Sequence, residues 1–341
     1  MKKTNLILTI AICIITLTVG LFVSSNIASA QATPNGSGQA LEIAPPVLIL
    51  TADPGQTINS VINLRDVSRS PLIVTNQIND FVANGEDGIP KIILDNNEQS
   101  NPYSIKSWIN NLPELTLQPK QIVKLPITIK VPTSASPGGY YGVIRFTATP
   151  TELKSTGVAL SASLGALVLL KVNGAVKESL SIESFTASED GKSGTLFESA
   201  PLMFIDRFKN TGNIHEQPTG QVTITDMFNK KIAALNVNLP QSNILPQSIR
   251  KFEQPLDSSV IGNKMLFGRY TANLKVTYGA NNQVLTKSIS FWVIPYRLIA
   301  VIIAALIVIF LVLFFLIRRY NRYVVRKAQG TTTKHKKRKN K

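Results

Sequence analysis

The chain has 341 residues, 44% of them hydrophobic, with 36 Lys and Arg against 20 Asp and Glu and one cysteine. That residue, Cys13, lies in an N-terminal apolar stretch, which excludes a disulfide, a thiol nucleophile or a thiolate metal site from the rest. The formal charge of +16 does not signal nucleic acid. Two basic residues fall at the N-terminus and eleven after Ile317, leaving 23 against all 20 acids over 31–297, with no basic stripe.

Residues 1–30 have the form of a secretory signal. Lys2 and Lys3 precede an apolar stretch, and Ala28-Ser29-Ala30 offers the small residues that a signal peptidase reads. The apolar stretch is long, so an uncleaved anchor is the alternative. Residues 31–40 are a polar, Gly- and Ser-containing leader, expected to be disordered.

From 41 to 296 the hydrophobic period is two. Val123, Leu125, Ile127, Ile129 and Val131 alternate with Lys124, Pro126, Thr128 and Lys130, the pattern of a half-buried strand. Pro126 falls on the outward set and marks an edge or a bulge. Similar runs recur at 141–147, 164–172, 202–208, 222–225, 270–278 and 289–293. They are separated by turn clusters such as Asp53-Pro54-Gly55 and Asn210-Thr211-Gly212-Asn213. Many short strands with frequent turns predict β-sandwiches. Outside the apolar C-terminal run, only 104–110 suggests a helical turn. Residues 76–104 read as a long polar loop with few strands of its own.

The pattern is duplicated. Leu117-Gln118-Pro119 and Gly139-Tyr140-Tyr141 are echoed by Leu245-Pro246-Gln247 and Gly268-Arg269-Tyr270. Two tandem sandwiches follow, at 41–174 and 175–296. Aligned this way, Tyr141 matches Tyr270 and belongs in a core, whereas Tyr140 matches Arg269 and belongs outside.

Residues 298–317 are twenty uncharged residues, from Leu298 to Ile317, followed at once by Arg318 and Arg319. Twenty helical residues at 1.5 Å each span about 30 Å, the hydrocarbon thickness of a bilayer. Residues 318–341 form a basic tail without Asp or Glu, which places it in the cytoplasm and the sandwiches outside. A stop-transfer flank accounts for the tail; contact of its last lysines with anionic lipid is the alternative.

Several features in 41–172 resemble the WxL-interacting protein family, surface proteins of monoderm bacteria. They are Ala44-Pro45-Pro46 leading to Asp53-Pro54-Gly55, the strand end Asn63-Leu64-Arg65-Asp66, Leu117 and Pro119 before a strand, and Pro132 followed by the run from Gly138 to Phe146. The order of the whole chain is similar too. The resemblance implies a peptidoglycan-binding Ig-like domain, a second Ig-like domain that meets a surface partner, and a C-terminal anchor.

Catalytic signals are sparse. His215, in a connection between strands, is the one histidine before the apolar run, and an exposed loop residue is the better account of it than a triad base. A Ser-Lys pair has no distinguishing pattern, and no pair of acids is placed for glycoside hydrolysis. Glu86 and Asp87, with Asp95 and Glu98, offer oxygen ligands but not calcium-loop spacing, and read as solvated turns. No metal or cofactor is expected.

Aromatic side chains remain as binding candidates for a sugar surface: Tyr103, Trp108 and Tyr140. Trp108 is a core plug or a platform, and Trp292 an interfacial anchor or a core residue. Together these features describe an all-β chain of two tandem Ig-like β-sandwiches plus one C-terminal transmembrane helix, in the cell membrane with its sandwiches outside. The expected role is non-catalytic attachment to cell-wall polymer, to a surface protein, or to both. A membrane-tethered Ig-like assembly chaperone for surface fibres and a cell-wall hydrolase are the alternatives.

Overall fold

A computed structural model of the chain describes residues 41–94, 102–151, 162–262 and 264–336. The expected signal, the leader, and the acids Asp95 and Glu98 lie outside the described residues.

The first sandwich contains β1 (Leu41–Ala44), β2 (Val47–Ala52), β3 (Thr57–Asp66), β4 (Leu72–Asn84), β5 (Ile89–Ile93), β6 (Leu115–Leu117), β7 (Ile122–Lys130), β8 (Gly138–Pro150) and β9 (Ala162–Val172). One sheet has the order β1-β3-β7; the other has β2-β9-β8-β4-β5, with β6 also on β4. The chain changes sheets at Pro45 and Pro46, which have no N–H to give a ladder. β1 therefore pairs antiparallel with β3, and β2 parallel with β9. On β7 the buried residues are Leu125, Ile127 and Ile129, and Pro126 sits exposed on this edge strand. They pack on Leu48, Val74, Ile144, Phe146 and Val168 of the facing sheet.

The second sandwich repeats the plan with β10 (Leu180–Glu189), β11 (Lys192–Gly194), β12 (Leu196–Phe197), β13 (Leu202–Asn210), β14 (Thr219–Asp226), β15 (Lys231–Val237), β16 (Ile249–Leu256), β17 (Gly268–Tyr278) and β18 (Gln283–Val293). Its sheets are β11-β10-β13-β16 and β12-β18-β17-β14-β15. β12 runs parallel to β18 as β2 does to β9. Phe204, Phe208, Tyr270 and Phe291 fill the core, Tyr270 stacked on Phe291 at 5.7 Å.

The duplication has a register that differs from expectation by one residue. Gly138 opens β8 opposite Val172, and Gly268 opens β17 opposite Val293. Tyr140 thus matches Tyr270, and Tyr141 matches Thr271. A one-residue slip reverses the face of every side chain. Tyr140 lies on the core side with Ile144 and Phe146, half-buried, and Tyr141 is buried on the opposite face.

Most of 76–104 is the β4–β5 hairpin rather than the long loop expected. Two of its asparagines are absorbed by hydrogen bonds to neighbouring main chain. Asn76 Nδ2 donates to the carbonyls of Leu112 and Pro113, and Asn79 Nδ2 to that of Ile93.

After β16 comes one short helix, α1 (Ser258–Ile261), capped by Asp257, whose side chain accepts from Ser259 N. Two residues after β18 the helix α2 (Tyr296–Lys336) begins. Its stretch Tyr296–Val325 is long and apolar enough to cross a membrane. The helix continues well past Ile317 into the basic tail, because Arg and Lys are good helix formers once the chain has left the apolar run.

Candidate functional site

The outer face of the β2-β9-β8-β4 sheet is apolar at one end, around Tyr141, Val143, Leu167 and Leu169, and polar at the other, where Arg145 donates to Gln77 and the hydroxyls of Thr147 and Ser163 meet. β9 reads ASLGALVLLKV, with large aliphatic residues at successive positions, so both of its faces are greasy. Val168 and Leu170 point into the sandwich core, whereas Leu169 joins Phe81, Tyr141 and Val143 in a separate buried cluster outside it. Leu245, from the β15–β16 connection of the second sandwich, packs on that cluster. The second sandwich therefore covers part of this face.

The uncovered part is a cleft of about 270 Å³. Val47, Ile49, Phe81, Leu167 and Leu169 line it from the first sandwich; Ile244, Leu245, Ile249 and Arg250 line it from the second. Arg250 is the cation in this wall. Its Nη1 donates to the carbonyl of Asn243 at 2.7 Å, and its guanidinium lies 5.5 Å from the centre of the Phe252 ring. Burial holds its pKa below the usual guanidinium value. The guanidinium also abuts Gly88, a position of φ +73° where any added side chain would collide with it.

The two sandwiches are held at fixed geometry by two joints. In the first, the tip of the β4–β5 hairpin reaches β13 and β16. Glu86 receives two hydrogen bonds from the Arg207 guanidinium, its carbonyl accepts from Lys251 N at 2.8 Å, and Asp87 lies 3.3 Å from Lys251 Nζ. Arg207 holds the Glu86 carboxyl below its ordinary pKa, chiefly through that hydrogen bond. These acids, considered above as calcium ligands, are engaged in ion pairs. Among the described residues, no group of three or more His, Cys, Asp or Glu is placed to hold a metal.

The second joint is the turn after β13. Asn210, fully buried, donates to the carbonyls of Ile214 and Ile244 and accepts from Gly212 N, which fixes the loop. Gly212 has no room for a Cβ, because the carbonyl of Lys177 would lie inside contact distance. Asn213 then bridges both sandwiches. Its carbonyl accepts from Gly139 N at 2.8 Å, its Nδ2 donates to the Pro137 carbonyl, and its Oδ1 accepts from Lys177 N.

His215 belongs to this joint and is not an exposed loop residue. It is half-buried, with Nδ1 3.4 Å from the Tyr141 hydroxyl and its ring edge-on to Tyr141 at 5.9 Å. Burial, reinforced by Lys171, pushes its pKa down to about 4, and burial pushes the Tyr141 hydroxyl up. Neither group ionises near neutral pH, so the pair is a lock between sandwiches rather than an acid–base couple. Glu216 beside it is buried, its carboxyl pushed up to about 7 by burial and by the Glu178 charge.

The aromatic candidates sit elsewhere. Trp108, in the single turn Lys106–Trp108, and Tyr140 have ring centres 4.3 Å apart, both packed on the first core. The Tyr140 hydroxyl donates to the Ser136 carbonyl. Trp108 is thus neither a buried plug nor an open platform. Tyr103 supports the outer cluster, its carbonyl accepting from Tyr141 N at 2.7 Å. Trp292 is exposed on β18 and not part of the core. The cleft residues carry no local motif. Their signal was the 164–172 run, which lacks alternation and so indicates a strand covered on both faces.

No protein-family model and no curated protein sequence matches the chain. Among solved structures it is similar to the YadV chaperone (10% identity, TM-score 0.35, covering 74% of this chain and 100% of that one). It is also similar to the class 5 fimbriae chaperone CfaA (12%, 0.35, 73% and 98%) and to the E. coli chaperone DraB (15%, 0.32, 74% and 96%). At these identities and TM-scores the likenesses carry no argument about this chain. The sheets themselves establish the fold: two tandem Ig-like sandwiches followed by one long apolar helix.

Proposed function

We propose that the chain is a non-catalytic, membrane-anchored protein of the cell surface that takes an extended, apolar segment of another surface protein into the cleft between its sandwiches. α2 is the anchor, and its basic continuation marks the cytoplasmic side. The observation that carries this reading is the cleft itself, whose walls come from both sandwiches and are mainly aliphatic. It lies beside an open edge. β2 pairs with β9 only over Leu167–Val172, and among the described residues no strand pairs with that side of 162–166. A sheet edge next to an apolar groove accepts a polypeptide by strand addition: main-chain hydrogen bonds give affinity, and the groove selects side chains.

A sugar polymer is served less well. It needs polar partners and open aromatic faces, whereas Trp108 and Tyr140 cover each other. The alternatives of holding a finished surface protein or assisting the assembly of a fibre both use this cleft.

The test uses the full chain in detergent, immobilised and exposed to surface extract or to isolated walls. Ile49→Asp places a charge in the cleft wall at a residue already exposed. A surface protein should be retained by the parent chain and at least about tenfold less by the variant, a loss of about 1.4 kcal/mol. Retention of walls with no effect of Ile49→Asp would overturn the reading.

A further inference from the structure

The end of the second sandwich from which α2 leaves is built from the turns after β12, β14 and β16 and the approach to β17. Met227, Phe228, Met265, Phe267 and Trp292 all lie here, with Phe228 82% exposed, Met265 75% and Phe267 62%. Among the described residues outside α2, every exposed Phe, Met and Trp is at this one end. They adjoin one another. Met227 packs on Gly268 next to Phe267, and Met265 shares a hollow with Pro295, the residue before α2.

Phe228 is exposed by construction, not by fraying. Asp226 Oδ1 accepts from both Phe228 N and Lys230 N at 2.9 Å, and Asn229 takes φ +60° to close the turn. Four acids at this end are engaged: Asp226 in that turn, Asp257 in the α1 cap, Glu198 with Arg297 at 3.1 Å, and Glu189 with the N–H groups of Glu198 and Ser199; Asp190, in the β10–β11 turn, is exposed. Lys230, Lys231 and Lys264 stand among the apolar residues.

We infer that this end is a lipid seat, with Phe228, Phe267 and Met265 entering the outer leaflet of the bilayer that α2 spans. This takes α2 as a membrane span, as proposed above. The chain leaves little room for any other occupant. Ile294 N donates to the Phe197 carbonyl and Ile299 N to that of Pro295, so strand passes into helix without slack. From Pro295 to Leu298, where the uncharged run begins, three residues rise about 5 Å. The headgroup layer is about 5–7 Å deep. Side chains protruding from the sandwich end therefore reach the acyl boundary, where amphipathic and aromatic residues settle and lysines meet phosphate.

The experiment uses the full chain with Cys13→Ser and a bimane label on a single cysteine, in vesicles of phosphatidylcholine and phosphatidylglycerol carrying brominated acyl chains. Labels at Phe228→Cys and Phe267→Cys should lose emission to lipid bromine. A label at Asn281→Cys, in the turn at the opposite end, should keep it. Ile307→Cys, mid-helix, reports the span. Adding Phe228→Asp and Met265→Asp should restore emission at 267. Emission at 228 and 267 as high as at 281, with 307 quenched, overturns the seat and leaves the anchor standing. Emission retained at 307 as well overturns both.

Discussion

The two sandwiches share one topology and differ in the outer face of their larger sheet. On β8 and β9 that face carries Tyr141, Val143, Leu167 and Leu169, buried or half-buried. On β17 and β18 the matching face carries Thr271, Asn273, Lys275, Thr286 and Ser288, with Ser288 Oγ donating to Asn273 Oδ1. The second sheet is finished: one face in the core and one in water. The first is finished only beyond Val143, where Arg145, Thr147 and Ser163 face out; the apolar end needs a cover, and the second sandwich supplies only part of it. The same fold can thus carry a solvated or a covered sheet face, according to every second residue of two strands.

The same charge placed on both faces separates the two sheets most strongly. Leu169→Asp puts a carboxylate among Phe81, Tyr141 and Val143, where it has no partner. It is expected to cost about 3 kcal/mol or more. Thr286→Asp, exposed on β18, is expected to stay within about 0.5 kcal/mol. Thermal unfolding of the full chain in detergent, followed by circular dichroism, reads both. Equal shifts would mean that the first outer face is as solvated as the second.

What the sequence revealed follows the same division. Where one face is polar, as on β7, alternation shows both the strand and its orientation. Where both faces are apolar, as on β8 and β9, alternation disappears, and with it the phase. Tyr141 is buried as expected, but in the outer cluster, whereas Tyr140 lies half-buried against the sandwich core rather than outside. The glycines that open β8 and β17 would have given the correct register, Gly138 with Gly268. β4 was hidden for another reason. Asn76, Asn79 and their neighbours look like loop residues until their side-chain bonds to Leu112, Pro113 and Ile93 are seen. The cleft needs segments near 49, 81, 169 and 245 brought together by the joints, and no local pattern carries that information. The apolar run marks a helix long and apolar enough to cross a membrane, but not where that helix ends.

A second contrast lies in the cores. Each buries an aspartate on the core side of a strand: Asp66 in line with Ile62 and Leu64 on β3, where Oδ1 accepts from Ser68 N, and Asp206 in line with Phe204 and Phe208 on β13. Among the described residues neither of the Asp206 carboxyl oxygens makes a hydrogen bond of good geometry, and burial, opposed by the nearby Gln254 amide, pushes its pKa up to about 7. The folded chain therefore holds this proton more tightly than the unfolded chain, whose Asp titrates near 3.8. The stabilisation is complete below about pH 4 and is lost as pH rises through 7. Asp206→Asn should remove that decline, raising the unfolding temperature of the second sandwich at pH 8 while changing it little at pH 4. Melting curves across this range that run parallel for the parent and variant chains would show that Asp206 is solvated. Glu216, whose carboxyl is also raised to about 7, gives a slope of the same sign at the joint, and Glu216→Gln separates the two.

The smallest effect tests whether the joint or the apolar contact sets the geometry of the cleft. Glu86 and Arg207 are about a third exposed, so their bond is screened by water, and Glu86→Gln should cost only about 0.5–1 kcal/mol. The Glu86 pKa is lowered, so its contribution is present above the unfolded value of 4.5 and fades as pH falls through the lower, folded value. If the hairpin tip merely adds to a seam already fixed by Leu245 and Asn213, the variant keeps the cleft and binds as the parent does. If the tip is the clamp, hydrogen exchange at Lys251 N, which donates to the Glu86 carbonyl, quickens in the variant while exchange at Gly139 N does not. The backbone bond at Lys251 leaves the charge untouched, so its exchange separates loss of an ion pair from opening of the joint.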